Sequence, residues 1–377
     1  MPLAGGFLAD QAAIAEEQTY PLPVHVCLKC GLVQILEVID PAILFRDYSF
    51  SSSTIPPLVK HFEAYAEWLI QRLSPKLVFE FGCNDGVLLS PLQHLGISAK
   101  GVDLSDNITE MARAKRLDVT TGYFDEETVG SLVHQHGQAD VVTGSNAFAH
   151  NDYPERILAA TKKALAPKGH LCLEVMYAGD LLELLQWDTL YHEHLTFYSA
   201  TTLNVLLERH GFRLVHAERI PMHGGSLRVI ASLSEDEAVS PQLHAILKYE
   251  EQNRLARPQT WIDFGSHIQR KIDIVRQTLG RLAKESRIWG YGAAGKATMW
   301  VNACGMTYLY AMVDASPLRA GKLMPGTHTP IVFPTELRKY PPDYIFVTAW
   351  NYVDAIRQNE SWFKGIWVTP LPELRMF

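Results

Sequence analysis

Leu77-Val-Phe-Glu-Phe-Gly-Cys-Asn-Asp-Gly86 decides the fold. An apolar-rich strand runs into a turn carrying Gly82 and Gly86, and Val87-Leu-Leu89 then opens a helix, the order in which α/β sheets meet a nucleotide-type ligand. Gly82 and Gly86 lack a Cβ and tolerate positive φ, so the backbone can approach a ligand closely, and the following helix points free N–H groups at the same place. Lys100-Gly-Val-Asp103 reads as the next strand and ends in a carboxylate roughly 20 residues on, the spacing at which an acidic side chain accepts ribose hydroxyls. A dinucleotide fingerprint would read G-x-G-x-x-G, whereas Glu80, Gly82, Asp85 and Gly86 give E-x-G-x-x-D-G. Without the close glycine pair that admits a pyrophosphate, these carboxylates better suit an adenosine with a cationic amino-acid tail. A strand-turn-helix needed only for folding is the competing reading.

Outward from this turn, strands are expected at 77–81, 98–103, 118–124, 139–145 and 170–176, with helices between the earlier ones and another near 154–166. That alternation is a doubly wound parallel sheet, in which ligands sit beyond the carboxyl ends of the strands. The strand-end residues Gly82 to Gly86, Asp103, Phe124 to Asp125, Ser145 to His150 and Glu174 to Tyr177 are therefore the ones to watch. Asp188-Thr-Leu-Tyr-His-Glu-His-Leu-Thr-Phe-Tyr198 is the densest run of ionisable and aromatic groups. Its Tyr191, Glu193 and His194 offer a phenolic donor, an orienting carboxylate and a general base; a metal reading of His192-Glu-His194 is disfavoured because no H-E-x-x-H helix is present. His223-Gly-Gly-Ser-Leu-Arg228 follows, a turn able to hold an anion on backbone N–H groups.

Upstream, Cys27-Leu-Lys-Cys30 is a C-x-x-C knuckle with no second pair in the chain, so an unfilled knuckle or plain turn competes with half of a four-ligand zinc site. Tyr48 and Phe50 precede an amphipathic helix from about Pro57 to Leu73 and could lie over a ligand or pack a domain junction. Downstream, a long helical stretch from about Ser240 to Lys284 leads to Arg287-Ile-Trp-Gly-Tyr-Gly-Ala-Ala-Gly-Lys-Ala297, a second strand-turn-helix, with further strands near 308–313 and 343–348. Gly290, Gly292 and Gly295 form G-x-G-x-x-G followed by Lys296, with Asp314 about 20 residues on. Such a turn is a degenerate relic or holds the phosphates of a nucleotide-linked substrate.

Composition narrows the class. A chain of 377 residues with 47% hydrophobic content has material for two or three cores. A net charge of -7 without a long Lys/Arg run argues against a nucleic-acid surface. Neither an uninterrupted membrane-length apolar run nor a signal-peptide pattern occurs, so a cytoplasmic location and small-molecule partners are expected. Five scattered cysteines make no disulfide framework, in keeping with a reducing compartment.

Together these stretches resemble the S-adenosylmethionine-dependent sugar C-methyltransferases, which add a methyl branch to a nucleotide-activated keto-deoxysugar. The carriers are the Cys27/Cys30 knuckle, Tyr48-Ser-Phe-Ser-Ser-Ser53, Glu80-Phe-Gly-Cys-Asn-Asp-Gly86, Asn146-Ala-Phe-Ala-His150, Tyr191-His-Glu-His194, His223-Gly-Gly-Ser-Leu-Arg228, Gly290-Tyr-Gly-Ala-Ala-Gly-Lys296 and Pro325-Gly-Thr-His328. The resemblance covers nearly the whole chain and implies an α/β architecture: a small N-terminal zinc-binding domain, here degenerate (1–56), a class I methyltransferase Rossmann-like domain (57–236) and a second, C-terminal Rossmann-like domain that helps hold the substrate nucleotide (237–377). It departs in two places. The family's zinc domain has two C-x-x-C pairs, and a chain starting at Met1-Pro-Leu-Ala4 carries one, which puts zinc in doubt; Gly290–Lys296 stands where the family more often has Pro-Ala-Lys.

By resemblance and by chemistry, S-adenosylmethionine is the expected cofactor, met by Glu80, Gly82, Asn84, Asp85, Gly86, Asp103, Leu104, Phe124, Asn146 and Ala147. The substrate would meet Tyr48, Phe50, His223, Arg228, Tyr291, Gly292 and Lys296. Carbon methylation needs a carbanion equivalent, hence a poised base and a stabilised enolate. His194 is the candidate base, Glu193 its orienter or a sugar-hydroxyl ligand, and Tyr191 and His150 donors to the enolate oxygen. Were Tyr191 to His194 to make a helical turn, those two side chains would share a side and His192 would face away. The alternatives are a nicotinamide-dependent oxidoreductase using Gly290–Gly295, a methyltransferase of a non-sugar ketone, and a non-enzymatic scaffold.

Overall fold

The computed structural model describes residues 1–46, 48 and 50–377; Ser49 of the Tyr48–Ser53 motif lies outside them. At the N-terminus, β1 (Val24–Val26) and β2 (Val33–Ile35) flank the Cys27–Cys30 turn. The central sheet uses β3 (Leu77–Phe81), β4 (Ser98–Asp103), β5 (Val119–Thr121), β6 (Ala139–Ser145) and β7 (Leu165–Met176). The short β8 (Thr196–Phe197) pairs back onto β2, tying the N-terminal sheet to the segment that carries Tyr191 and His194. Two more strands, β9 (Arg213–Ile220) and β10 (Ser226–Ser232), complete the central sheet in the order β5-β4-β3-β6-β7-β10-β9.

The five strands from β3 to β7 are parallel, as their alternation with helices predicts. The sheet as a whole is mixed, because β9 and β10 join through a short turn and a hairpin forces antiparallel pairing. β3 and β6 are buried almost end to end, which requires cover on both faces. Helices Glu126–His136, Pro154–Ala164 and Ala200–Arg209 cover one face around Phe79, Leu171 and Leu203. Helix Pro56–Leu73 covers the other, setting Tyr65 and Leu69 against Val78 and Val141.

Several local expectations shift: β7 already begins at Leu165, and of the strand expected near 308–313 only Met312–Val313 forms. The strand expected over 118–124 ends at Thr121, where Gly122 leaves the sheet with φ 152° and donates to the Asp103 carbonyl at 2.8 Å. The helix after the Gly82 turn begins at Leu89, since Asn84 and Gly86 both take positive φ and occupy turns first. The helical stretch over 240–284 is two helices, Pro241–Gln252 and Pro258–Leu282. Arg257 is extended because the ring of Pro258 excludes the α conformation from the residue before it.

The third sheet holds β11 (Ile288–Tyr291), β12 (Met312–Val313), β13 (Ile331–Val332), β14 (Tyr344–Val347), β15 (Ile366–Thr369) and β16 (Arg375–Met376), in the order β13-β12-β11-β14-β15-β16. Trp187 meets Trp300 edge-on at 4.8 Å, and buried Asp188 accepts both the Trp300 and Trp350 indole N–H groups at 3.0 and 2.8 Å. The first twenty residues reach the same body: Leu8 bridges Leu323, and Glu17 accepts from Gly326 N at 2.7 Å and from His328 at 2.8 Å. Among the described residues no helix is long and apolar enough to cross a membrane.

Candidate active site

Strand ends from the central and third sheets face one cavity of about 730 Å³. From β3 come Glu80, Gly82 and Asn84, from β4 Asp103 and Leu104, and from β6 Ser145, Asn146 and Ala147; Phe124 also lines the wall. Gly82 has φ 62° and a Cβ there would collide with that of Ala147, so the tight approach of the β3 and β6 turns requires glycine. The Asp103 carboxylate is aimed by two backbone donors, Asn84 N and Ser105 N, each at 2.9 Å. Glu80 is 2% exposed with Oε2 unpaired. Burial, and then the nearby Asp103, Glu174 and Asp85, push its carboxyl well above the usual range, so a cationic ligand group arriving there would restore its charge. Asn146, at φ 55°, buries both amide atoms without a partner. Unpaired buried polar atoms beside an aimed carboxylate fit a ligand with ribose hydroxyls and a charged amino-acid tail.

Two residues expected against the cofactor are placed elsewhere. Asp85 is fully buried away from the cavity, where it accepts Ser51 Oγ at 2.8 Å, Lys115 Nζ at 3.1 Å, and both N and Oγ of Ser53. It pins the Ser51–Ser53 segment, which Asn84 also holds through Ser52 N at 2.9 Å and the Phe50 carbonyl at 3.0 Å. Gly86 serves packing, because a Cβ at its φ of 80° would strike Leu117.

The catalytic candidates converge. Tyr191 and His194 have ring centroids 4.0 Å apart, His194 stacks on His150 at 5.1 Å, and His150 stacks on Phe45 at 5.6 Å. His192 turns away, its Nε2 at 2.9 Å from the Pro21 carbonyl. His194 Nδ1 lies 2.7 Å from the Thr189 carbonyl oxygen. A carbonyl only accepts, so Nδ1 carries the proton and Nε2 keeps a free lone pair. Burial, with His150 next, holds His194 well below its ordinary value; His150 and His223 are each lowered to about 4, mainly by burial. All three imidazoles are thus neutral at neutral pH. Burial raises the Glu193 carboxyl to about 7, with the Tyr48 hydroxyl donating to it at 3.2 Å.

Tyr48, Phe50, His223, Tyr291, Gly292 and Lys296 also line the cavity. Arg228 does not: it is buried in ion pairs with Glu174 at 2.7 Å and Glu218 at 3.2 Å, under the rings of Tyr65 and Trp68. The outward alternation of β10 sends its side chain to the helix Pro56–Leu73 side of the sheet. The G-x-G-x-x-G glycines let neighbouring elements press close to the turn. A Cβ would come within 2.5 Å of Met312 Sδ at Gly290, 2.6 Å of Ala349 Cβ at Gly292 and 2.8 Å of Tyr191 Cζ at Gly295. Gly5, Phe7, Ser316 and Arg319 line the cavity without any motif to mark them; only the position of Arg319 shortly after Asp314 hints at its ion pair with that residue at 3.4 Å.

Cys27 and Cys30 share the turn between β1 and β2, and among the described residues no group of three or more His, Cys, Asp or Glu side chains could hold a metal. Two thiols do not fit a tetrahedral zinc site.

Three family models divide the chain: residues 1–45 match one described as a "putative zinc binding domain", 59–217 a methyltransferase domain and 221–372 a C-methyltransferase C-terminal domain. C-methyltransferase NovU of Streptomyces niveus is 32% identical over 100% of this chain and 92% of its own length. The chain belongs to the C-methyltransferase family. It is an S-adenosylmethionine-dependent methyltransferase of class I Rossmann-like fold, with a second α/β sheet in its C-terminal part. More distantly, ubiquinone biosynthesis O-methyltransferase of Cupriavidus pinatubonensis is 27% identical over 45% of this chain and 73% of its own. Among solved structures, magnesium protoporphyrin IX methyltransferase of Synechocystis aligns with a TM-score of 0.37 and 16% identity over 47% of this chain and 83% of that one. The methyltransferase assignment supersedes the oxidoreductase reading of the second glycine turn and the scaffold reading of the chain as a whole.

Proposed function

We propose that this C-methyltransferase acts on a nucleotide-activated keto-deoxysugar by way of a base-generated enolate. The carrying observation is His194, whose tautomer is set by the Thr189 carbonyl at 2.7 Å and whose Nε2 is free, in the cavity that also holds Asp103 and Asn146. Neutral and desolvated, that nitrogen is suited to take a proton from carbon beside a ketone. The Tyr191 hydroxyl and His150 Nε2, the latter buried without a partner, donate to the oxygen on which charge develops. Glu193, joined to Tyr48, orients a sugar hydroxyl. S-adenosylmethionine, when bound at Glu80, Asp103 and Asn146, supplies the methyl group. The division of labour follows the extents 1–56, 57–236 and 237–377, with the last holding the nucleotide through Tyr291, Gly292 and their neighbours. The keto-deoxysugar is favoured by the resemblance of Tyr191-His-Glu-His194 and its companion motifs to sugar C-methyltransferases.

The test is to incubate the protein with methyl-labelled S-adenosylmethionine and a panel of nucleotide-linked keto-sugars alongside free ketones. Label on carbon of a nucleotide-linked keto-sugar is the expected result, and transfer only to non-sugar ketones would overturn the substrate assignment. His194→Ala should lower methyl transfer roughly 10²–10⁴-fold while leaving S-adenosylmethionine affinity intact, and should stop exchange of the acidic C–H with deuterated water. A mutant exchanging at the wild-type rate would move the base elsewhere, with His150 next to test.

A further inference from the structure

Taking a proton from carbon onto neutral His194 creates an imidazolium and an enolate among largely buried side chains, where an anion poorly met by positive charge is costly. Tyr191 and His150 are neutral donors and the imidazolium forms on the C–H side, so a fixed cation beside the oxygen would stabilise the enolate further. Among the described residues lining the cavity three are cationic: Arg156, Arg319 and Lys296. Arg319 is engaged with Asp314 at 3.4 Å and with the Ala293 carbonyl at 3.0 Å. Arg156 lies over the Tyr153 ring at 4.6 Å, beyond the His150 turn. Lys296 remains.

Its surroundings place it at the reacting end. The preceding residue, Gly295, packs on Tyr191, where a Cβ would come within 2.8 Å of Cζ, and the Tyr191 ring lies 4.0 Å from that of His194. The ammonium sits 4.6 Å over the Trp350 ring and 3.4 Å from the His223 carbonyl oxygen. Trp350 in turn donates to Asp188 at 2.8 Å, as Trp300 does at 3.0 Å, and the Asp188 Oδ1 is without a partner. Asp188 thus supports the charge on Lys296 from behind, through an indole. The field of Lys296 reaches both His194 and His223, which it pushes down.

We propose that Lys296 is a catalytic residue that pairs with the developing enolate oxygen, and that it does not serve the substrate's phosphates. The inference rests on the enolate reading above. His194 Nε2 uses its lone pair to take the proton; the C–H pair becomes the C=C bond; the carbonyl π pair moves onto oxygen as the negative charge beside the Lys296 ammonium. Charge and atoms balance without a further reactant.

The test compares Lys296→Met, Lys296→Gln and Lys296→Arg with wild type on the nucleotide-linked keto-sugar that wild type methylates. Three quantities are read: C–H exchange in deuterated water at saturating substrate, kcat, and affinity for the free nucleoside diphosphate. The expected result is a loss of exchange and kcat of about 10²–10³-fold in the Met and Gln variants, diphosphate affinity within about twofold of wild type, and partial recovery in the charge-keeping Arg variant. Unchanged S-adenosylmethionine affinity in all three separates this from misfolding. Weakened diphosphate binding with wild-type exchange at saturation would overturn the proposal and leave the enolate reading standing. A wild-type enzyme that methylates carbon without any enolisable C–H exchanging would overturn both.

Discussion

Replacing Glu193 by Gln should change stability in a strongly pH-dependent way. The side chain is 7% exposed, and burial raises its carboxyl from an ordinary 4.5 to about 7, opposed by the Tyr48 hydroxyl. A raised value means that the folded state holds the proton more tightly than the unfolded state does. The resulting stabilisation is fully present below about pH 4.5 and is lost as pH rises through about 7. At about 1.4 kcal/mol for each pH unit, the interval amounts to about 3 kcal/mol. Gln does not titrate and still accepts from Tyr48, so Glu193→Gln should gain about 3 kcal/mol on wild type between pH 4.5 and pH 8. Urea unfolding of both proteins across that range measures the difference. Infrared difference spectra between wild type and variant give an independent reading, as a protonated-carboxyl contribution of Glu193 that disappears near pH 7. A stability difference flat in pH, or one growing towards acid, would refute the buried-acid reasoning.

Asp103→Ala should weaken S-adenosylmethionine binding by about 1.5–3 kcal/mol, the scale of a charged hydrogen bond, as titration calorimetry would read; unchanged affinity would remove the β4 end from the cofactor argument. Asp85→Ala should instead lower thermal stability more than affinity, because it strands the Ser51, Ser53 and Lys115 groups that converge on Asp85. The purified protein should carry less than one zinc per chain by metal analysis, since Cys27 and Cys30 supply half of a tetrahedral site; stoichiometric zinc surviving dialysis would mean that other ligands complete it.

Local pattern alone determined a good deal. Leu77–Phe81 and Ala139–Ser145 are legible to the residue because parallel strands covered on both faces read as near-continuous apolar runs that stop at turn residues. The placing of Tyr191 and His194 on one side with His192 turned away also follows from spacing within four residues. The tertiary structure decided what depends on partners distant in sequence. Asp85 sits one residue from Asn84, yet it faces Ser51 and Lys115 in place of the cavity, and Arg228 finds Glu174 across a strand pair. The Gly290, Gly292 and Gly295 pattern reads as a phosphate turn, and only the tertiary structure shows that Met312, Ala349 and Tyr191 press against it. His194 owes its free Nε2 to the carbonyl of Thr189, a backbone atom that no residue type encodes. Periodicity records which face of an element is buried; the identity of the group meeting that face is set by chain crossings over a hundred residues or more, as between Asp188 and Trp300 or Trp350, and one sequence carries no local trace of them.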